Sequence, residues 1–157
     1  MPANTTPIFA LTPNLGVAGV LLTTAMTNTK AFDGTETAGT AMALIYTAGS
    51  NGGRVYEVDF RYGSTAGATA SGTTTATLVR LWANNGSANT TATNNILLGE
   101  VAIPAQAVTA LGTSVLPSFS ITNVPVLPAG WKLYAGMTVA IGGTNCALSV
   151  SAFGGDY

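Results

Sequence analysis

The chain has 157 residues, 47% of them apolar and only 7% charged, with five basic and six acidic side chains, no histidine and a formal net charge of −1. The five cations, Lys30, Arg54, Arg61, Arg80 and Lys132, form no basic stripe to neutralise phosphates, which excludes nucleic-acid binding. Without histidine, Ser-His-Asp and Cys-His catalysis are excluded and the commonest metal ligand is missing.

The length suits one domain around one core. Eleven charges over the ~7,300 Å² that a monomer of this mass exposes give little colloidal protection, so part of the surface is expected to be covered by partner subunits. Thr, Ala, Gly, Asn and Ser dominate, 19 residues are glycine, and the helix builders Leu, Glu and Lys are scarce. This is an all-β composition.

In chain order, residues 1–14, "MPANTTPIFALTPN", carry prolines 2, 7 and 13 around an apolar "IFAL", and proline at that spacing holds a segment extended without ladder bonds. It reads either as a frayed terminus or as an arm that docks Ile8, Phe9 and Leu11 on a neighbouring subunit. Residues 15–157 then form the β domain. "LGVAGVLL", Leu15 to Leu22, is far shorter than the roughly 18 apolar residues of a spanning helix and lacks the basic flank of a signal peptide. No membrane partner is expected, and synthesis in the cytoplasm is. A strand is predicted over Gly16 to Ala25. "FDGTE", Phe32 to Glu36, offers Asp33 and Glu36 but not the regular oxygen ligands of a calcium loop, and reads as a turn.

"AMALIYTA", Ala41 to Ala48, is the next strand, and the Asn-Gly pair in "SNGG" predicts a hairpin into the clearest strand, "RVYEVDFRYG". There Tyr56, Val58, Phe60 and Tyr62 fall on one face and Val55, Glu57, Asp59 and Arg61 on the other. Glu57 and Asp59 are the closest thing to a glycosidase carboxylate pair; the plain alternative is a charge ladder along a sheet face, with Arg61. Further strands are predicted over Thr73 to Ala83, Ile96 to Ile103, Ser118 to Asn123, Lys132 to Ile141 and Cys146 to Phe153, about eight in all. "PAQAVTALG", Pro104 to Gly112, is the one place for a short helix. Pro117, Pro125 and Pro128 confine the stretch Val115 to Pro128 to an edge or a crossing between sheets. Short strands at this spacing define a sandwich or barrel.

Gly63 to Thr75 and Asn84 to Asn95 read as long loops or hairpin tips. No residue between Arg80 and Glu100 is charged. Trp82 shares its face with Leu78 and Arg80, against Thr77, Val79 and Leu81, so it suits a core, a subunit interface or a sugar-stacking platform; Trp131 is the second large aromatic anchor. Cys146, the lone cysteine, reads as a small buried hydrophobe. The sequons at Asn4, Asn85 and Asn89 are those that an Asn/Thr-rich chain produces by chance.

The stretches "ANTTPIFALTPN", "VRLWANNGSANTTATNNILLGEVAIP", "LPAGWKLYAG" and "FGGDY" together resemble small virion proteins encoded near the capsid genes of tailed bacteriophages. The resemblance implies a capsid decoration, or cement, protein: a single-domain β-sandwich of jelly-roll type that assembles as a trimer, binds copies of itself and the major capsid protein on the virion surface, and needs no cofactor, metal or catalytic residue. No binding residue carries over by position. The uncharged Asn84 to Asn95 loop fits contact with identical neighbours, where a charge would meet its own symmetry copy and where Asn, Thr and Ser both donate and accept. The expected interface residues are Ile8, Phe9 and Leu11 of the arm, with Trp82, Asn85 and Asn89. The alternative is a receptor- or carbohydrate-binding module of a phage tail, for which exposed tryptophans beside Asn and Asp groups would speak; a hydrolase has only Glu57 and Asp59 behind it.

Overall fold

The computed structural model describes residues 12–26, 42–65, 69–89, 91–108 and 117–157; Ile8, Phe9, Leu11, Asp33 and Glu36 lie outside them. The described chain is all-β, with a single 3₁₀ turn at Ala92–Asn94. Its strands are β1 (Thr12–Asn14), β2 (Val20–Leu22), β3 (Met42–Thr47), β4 (Gly53–Ser64), β5 (Gly72–Thr73), β6 (Thr77–Asn84), β7 (Asn95–Ile103), β8 (Ala107–Val108), β9 (Ser118–Thr122), β10 (Lys132–Met137) and β11 (Cys146–Asp156). That is eleven rather than about eight, and the additions, β1, β5 and β8, are only two or three residues long.

Two open antiparallel sheets carry the fold. In sheet A, β11 pairs along one edge with both β2 and β1 and along the other with β4, which in turn pairs with β9. Sheet B runs β3-β10-β6-β7, and β5 and β8 form a separate two-stranded ladder. Alternate residues of both sheets meet in one core: Val58, Phe60, Leu148, Val150 and Ala152 from sheet A, and Ile45, Val79, Leu81, Leu133, Ala135 and Met137 from sheet B. Each of the larger side chains gains roughly 1.5–3 kcal/mol from its burial, which is the physical return on the period-two pattern in these segments.

Four readings of the sequence are corrected. The turn before β4 exists, closed by the Gly52 N–H donating to the Gly49 carbonyl (3.1 Å), but it is no hairpin: β3 belongs to sheet B and β4 to sheet A. Only Gly52 of the Asn-Gly pair has positive φ, at 93°, and a Cβ there would stand 2.7 Å from the Leu127 carbonyl oxygen. Leu127, on the segment crossing from β9 to β10, bonds Gly53 and takes the place a hairpin partner would need. Within the expected helix, Ala107–Val108 is extended and pairs with β5. Thr12–Asn14, placed with the arm, is a strand of sheet A, where Asn14 Nδ2 donates to Asp156 Oδ2 (2.9 Å). Lastly, Tyr56 is 51% exposed while Val55 is buried. The register between β4 and β11 shifts at Phe153/Gly154, so that Phe153 stands opposite Glu57 and Gly154 opposite Val55; this β-bulge reverses the alternation beyond it and turns Tyr56 outward.

The proline-marked stretch behaves as expected. Pro117 precedes the edge strand β9, and the segment from Asn123 to Trp131 crosses to sheet B, ending in the Pro128–Trp131 turn before β10.

Candidate functional site: two unlike sheet faces and an asparagine loop

The outer faces of the two sheets differ in chemistry. On β6, Val79, Leu81 and Ala83 enter the core, so Leu78, Arg80 and Trp82 project from the other side of sheet B. Trp82 is only 6% exposed and packs with Met26, Met42 and Tyr134, Leu44 lying against them. Burial pushes the Tyr134 phenol above its ordinary range. At the far end of β6 an apolar cleft of about 440 Å³ is lined by Leu78, Ala102, Pro104 and Val139 among others, and Leu78 and Val139 are exposed. Leu97 of the edge strand β7, opposite Trp82, is exposed as well, while Ile96, opposite Ala83, is exposed on the other side of the strand. The Arg80–Glu100 ion pair stands between these apolar groups.

Sheet A presents a polar face. Glu57, Asp59 and Arg61 project from it on β4, with Ser118, Ser120 and Thr122 opposite on β9, and Ser149 and Ser151 opposite on β11. Asp59 is buried and accepts from Arg61 Nε at 2.5 Å, so its carboxylate is already engaged. At the bulge, Arg54 lies over the Tyr56 ring, 5.2 Å from its centroid.

The uncharged loop between β6 and β7 satisfies itself. Asn84 Nδ2 donates to Asn95 Oδ1 (2.7 Å) and Asn85 Nδ2 to Asn94 Oδ1 (3.1 Å), while the same two side chains accept from the N–H groups of Gly86 and Ser87, the Asx turn that lets asparagine mimic backbone. Asn95 and Asn94 then donate to the Asn89 and Ala88 carbonyls. Gly86, at φ 86°, packs against the next turn, where a Cβ would lie 2.8 Å from the Gly130 carbonyl oxygen. A carboxylate or ammonium in this lattice would break a donor–acceptor match, which is a reason internal to the fold for the lack of charge.

Of the expected interface residues, then, Trp82 is held inside the fold of the single chain, Asn85 is exposed with its amide engaged, and Asn89 is half-buried. Trp131 is partly buried against the main core, and Cys146 is buried. Among the described residues, no three His, Cys, Asp or Glu side chains group to hold a metal, and no helix is long and apolar enough to cross a membrane. The exposed pair Tyr56 and Phe153 escaped sequence reasoning; the Gly-Gly at 154–155 inside a strand pattern is the signal that marks such a bulge. Comparison with protein-family models, with curated proteins and with solved structures finds no match for this chain.

Proposed function

We propose that the chain is a structural virion protein that decorates and stabilises a phage capsid, assembling with copies of itself, as a trimer on the resemblance, and with the major capsid protein at the virion surface. The observation that carries this reading is the apolar outer side of sheet B, where Leu78, Val139 and Leu97 stand exposed. In a chain with eleven charges, exposed apolar groups next to an apolar cleft fit a protein–protein contact. We read the sheets as a jelly roll. Numbering β2, β3, β4, β6, β7, β9, β10 and β11 one to eight, the ladders join one with eight, two with seven, three with six and four with five. That is the order of a long hairpin rolled on itself, its tip the asparagine loop, and jelly rolls recur in viral capsids. The buried Trp82 favours this reading over a tryptophan-based sugar binder.

The test is the Leu78→Glu/Val139→Glu double variant, followed by light scattering and by binding to shells lacking the protein. The expected outcome is a 15.7 kDa monomer that leaves shells bare. An unchanged oligomer that decorates shells with undiminished affinity would sink the assignment of sheet B, and density for the chain at the tail of intact particles would sink the decoration role.

A further inference from the structure

The eight charged residues in the described segments are Arg54, Glu57, Asp59, Arg61, Arg80, Glu100, Lys132 and Asp156. Four of them project from one face of one strand, β4. Arg80 and Glu100 pair with each other, and Asp156 accepts from Tyr46, Asn14 and Gly49. The β4 row is different. Asp59 and Arg61 form an ion pair, but Arg54 and Glu57 have no ion-pair partner among the described residues. The bulge places Tyr56 and Glu57 together opposite Phe153, with rings 51% and 40% exposed and the Arg54 guanidinium over the Tyr56 ring. The bulge depends on glycine: a Cβ on Gly154 would stand 2.3 Å from the Arg54 carbonyl oxygen, so no side chain fits at 154 while it persists.

We propose that this shelf on sheet A binds a neutral polysaccharide. The Phe153 ring, and the face of the Tyr56 ring turned away from the Arg54 guanidinium, offer stacking surface to the C–H face of a sugar ring. Beside them stand a donor that cannot accept, Arg54, and an acceptor that cannot donate when ionised, Glu57, the pair that sugar hydroxyls, being both, satisfy together. The row carries two cations and two anions, so it offers a polyanion such as nucleic acid no net attraction. From Arg54 to Arg61 it runs ~23 Å at strand rise, bordered by the hydroxyls of Thr122, Ser120 and Ser151. That hydroxyl-lined row suits an extended glycan, whereas a small metabolite requires an enclosing pocket. A protein partner would instead need an apolar centre with few charges; the cleft of Leu78, Ala102, Pro104 and Val139 on sheet B supplies one, and this face, with four charged side chains in a row, does not.

The full-length chain is titrated with maltohexaose, cellohexaose and chitohexaose, each to millimolar concentration, while backbone amide shifts are followed by NMR. At least one is expected to bind and to shift the amides around Tyr56 and Phe153. Tyr56→Ala and Phe153→Ala should each weaken binding about tenfold, as loss of one stacking contact implies. Glu57→Gln, which keeps the shape of the side chain, should weaken it less, and Leu78→Glu on the opposite sheet not at all. If an aromatic variant does not fold, Arg54→Gln and Glu57→Gln carry the test with the same readout. No binding by any of the three sugars, binding indifferent to these substitutions, or shifts confined to sheet B would each overturn the proposal, as would a neighbouring subunit covering Tyr56 and Phe153 in the particle.

Discussion

Tyr46 is fully buried, and its hydroxyl donates to Asp156 Oδ1 (2.7 Å), an oxygen that also accepts from the Gly49 N–H (3.1 Å). Burial first, then the hydrogen bond and charge of Asp156, push the Tyr46 phenol well above its ordinary range. Burial raises Tyr62, against a smaller opposing effect of Thr74, and also Tyr134. A folded-state value raised above the unfolded one contributes stability that is intact below the unfolded value, about 10 for tyrosine, and is lost as the pH rises beyond it. Urea midpoints should therefore hold level across the neutral range and fall above about pH 10, and Tyr46→Phe should make that fall shallower. Trp82 supplies a second prediction. Since its ring packs inside the single chain, Trp82→Ala should lower stability by about 3–5 kcal/mol in urea unfolding at a dilution that excludes association; a residue serving only an interface would leave that number unchanged.

At the scale of the element, the asparagine loop and the bulge are two ways for backbone to leave a ladder without stranding polar groups. In the loop, the Asn84 amide is fully buried and bonds both Asn95 and the Gly86 N–H. Asn84→Ala should cost about 1–3 kcal/mol, because buried partners are left unpaired. Asn85→Ala removes bonds of the same kind, but water replaces them at an exposed site, and the change should stay within about 0.5 kcal/mol. Thermal melts of the two variants check this; equal losses would mean that burial does not set the difference. Part of this element was readable: a polar, Asn-rich run between two apolar strands reads as a long loop or a hairpin tip, and the pairing of β6 with β7 makes it the tip. What the residues did not disclose was the pairing of amide with amide, since Asn84, Asn85, Asn94 and Asn95 lie nine to eleven positions apart and meet only once β6 and β7 are in register.

At the scale of the molecule, β11 decides cohesion. It lies between β4 and the pair β1 and β2 in sheet A, so the last strand of the chain holds the first ones, Leu148 opposite Leu22 and Asp156 opposite Thr12. Deleting residues 146–157 should leave a chain without cooperative unfolding, because Leu148, Val150 and Ala152 leave the core and β4 loses its longest ladder. A dispersed NMR spectrum from the truncated chain would contradict this. Ladders joining such distant segments also predict slow folding, in the range of milliseconds to seconds, measurable by stopped-flow fluorescence of Trp82 and Trp131.

The sequence by itself determined where the longer strands lie and where the chain turns between them, because those preferences are local: alternation in Glu57 to Arg61, prolines 117, 125 and 128 around an edge, a glycine where φ must be positive. It also settled that charge would be rare and histidine chemistry absent. Tertiary structure alone decided the partnership of strands. The turn at Gly49–Gly52 serves a hairpin or a crossing equally well, and only the competition of β10 and β11 for β3 and β4 made it a crossing. The facing of Tyr56 was likewise undetermined by period two, since one extra residue in a ladder reverses every side chain beyond it, and that residue is fixed by the register of a strand almost a hundred positions away.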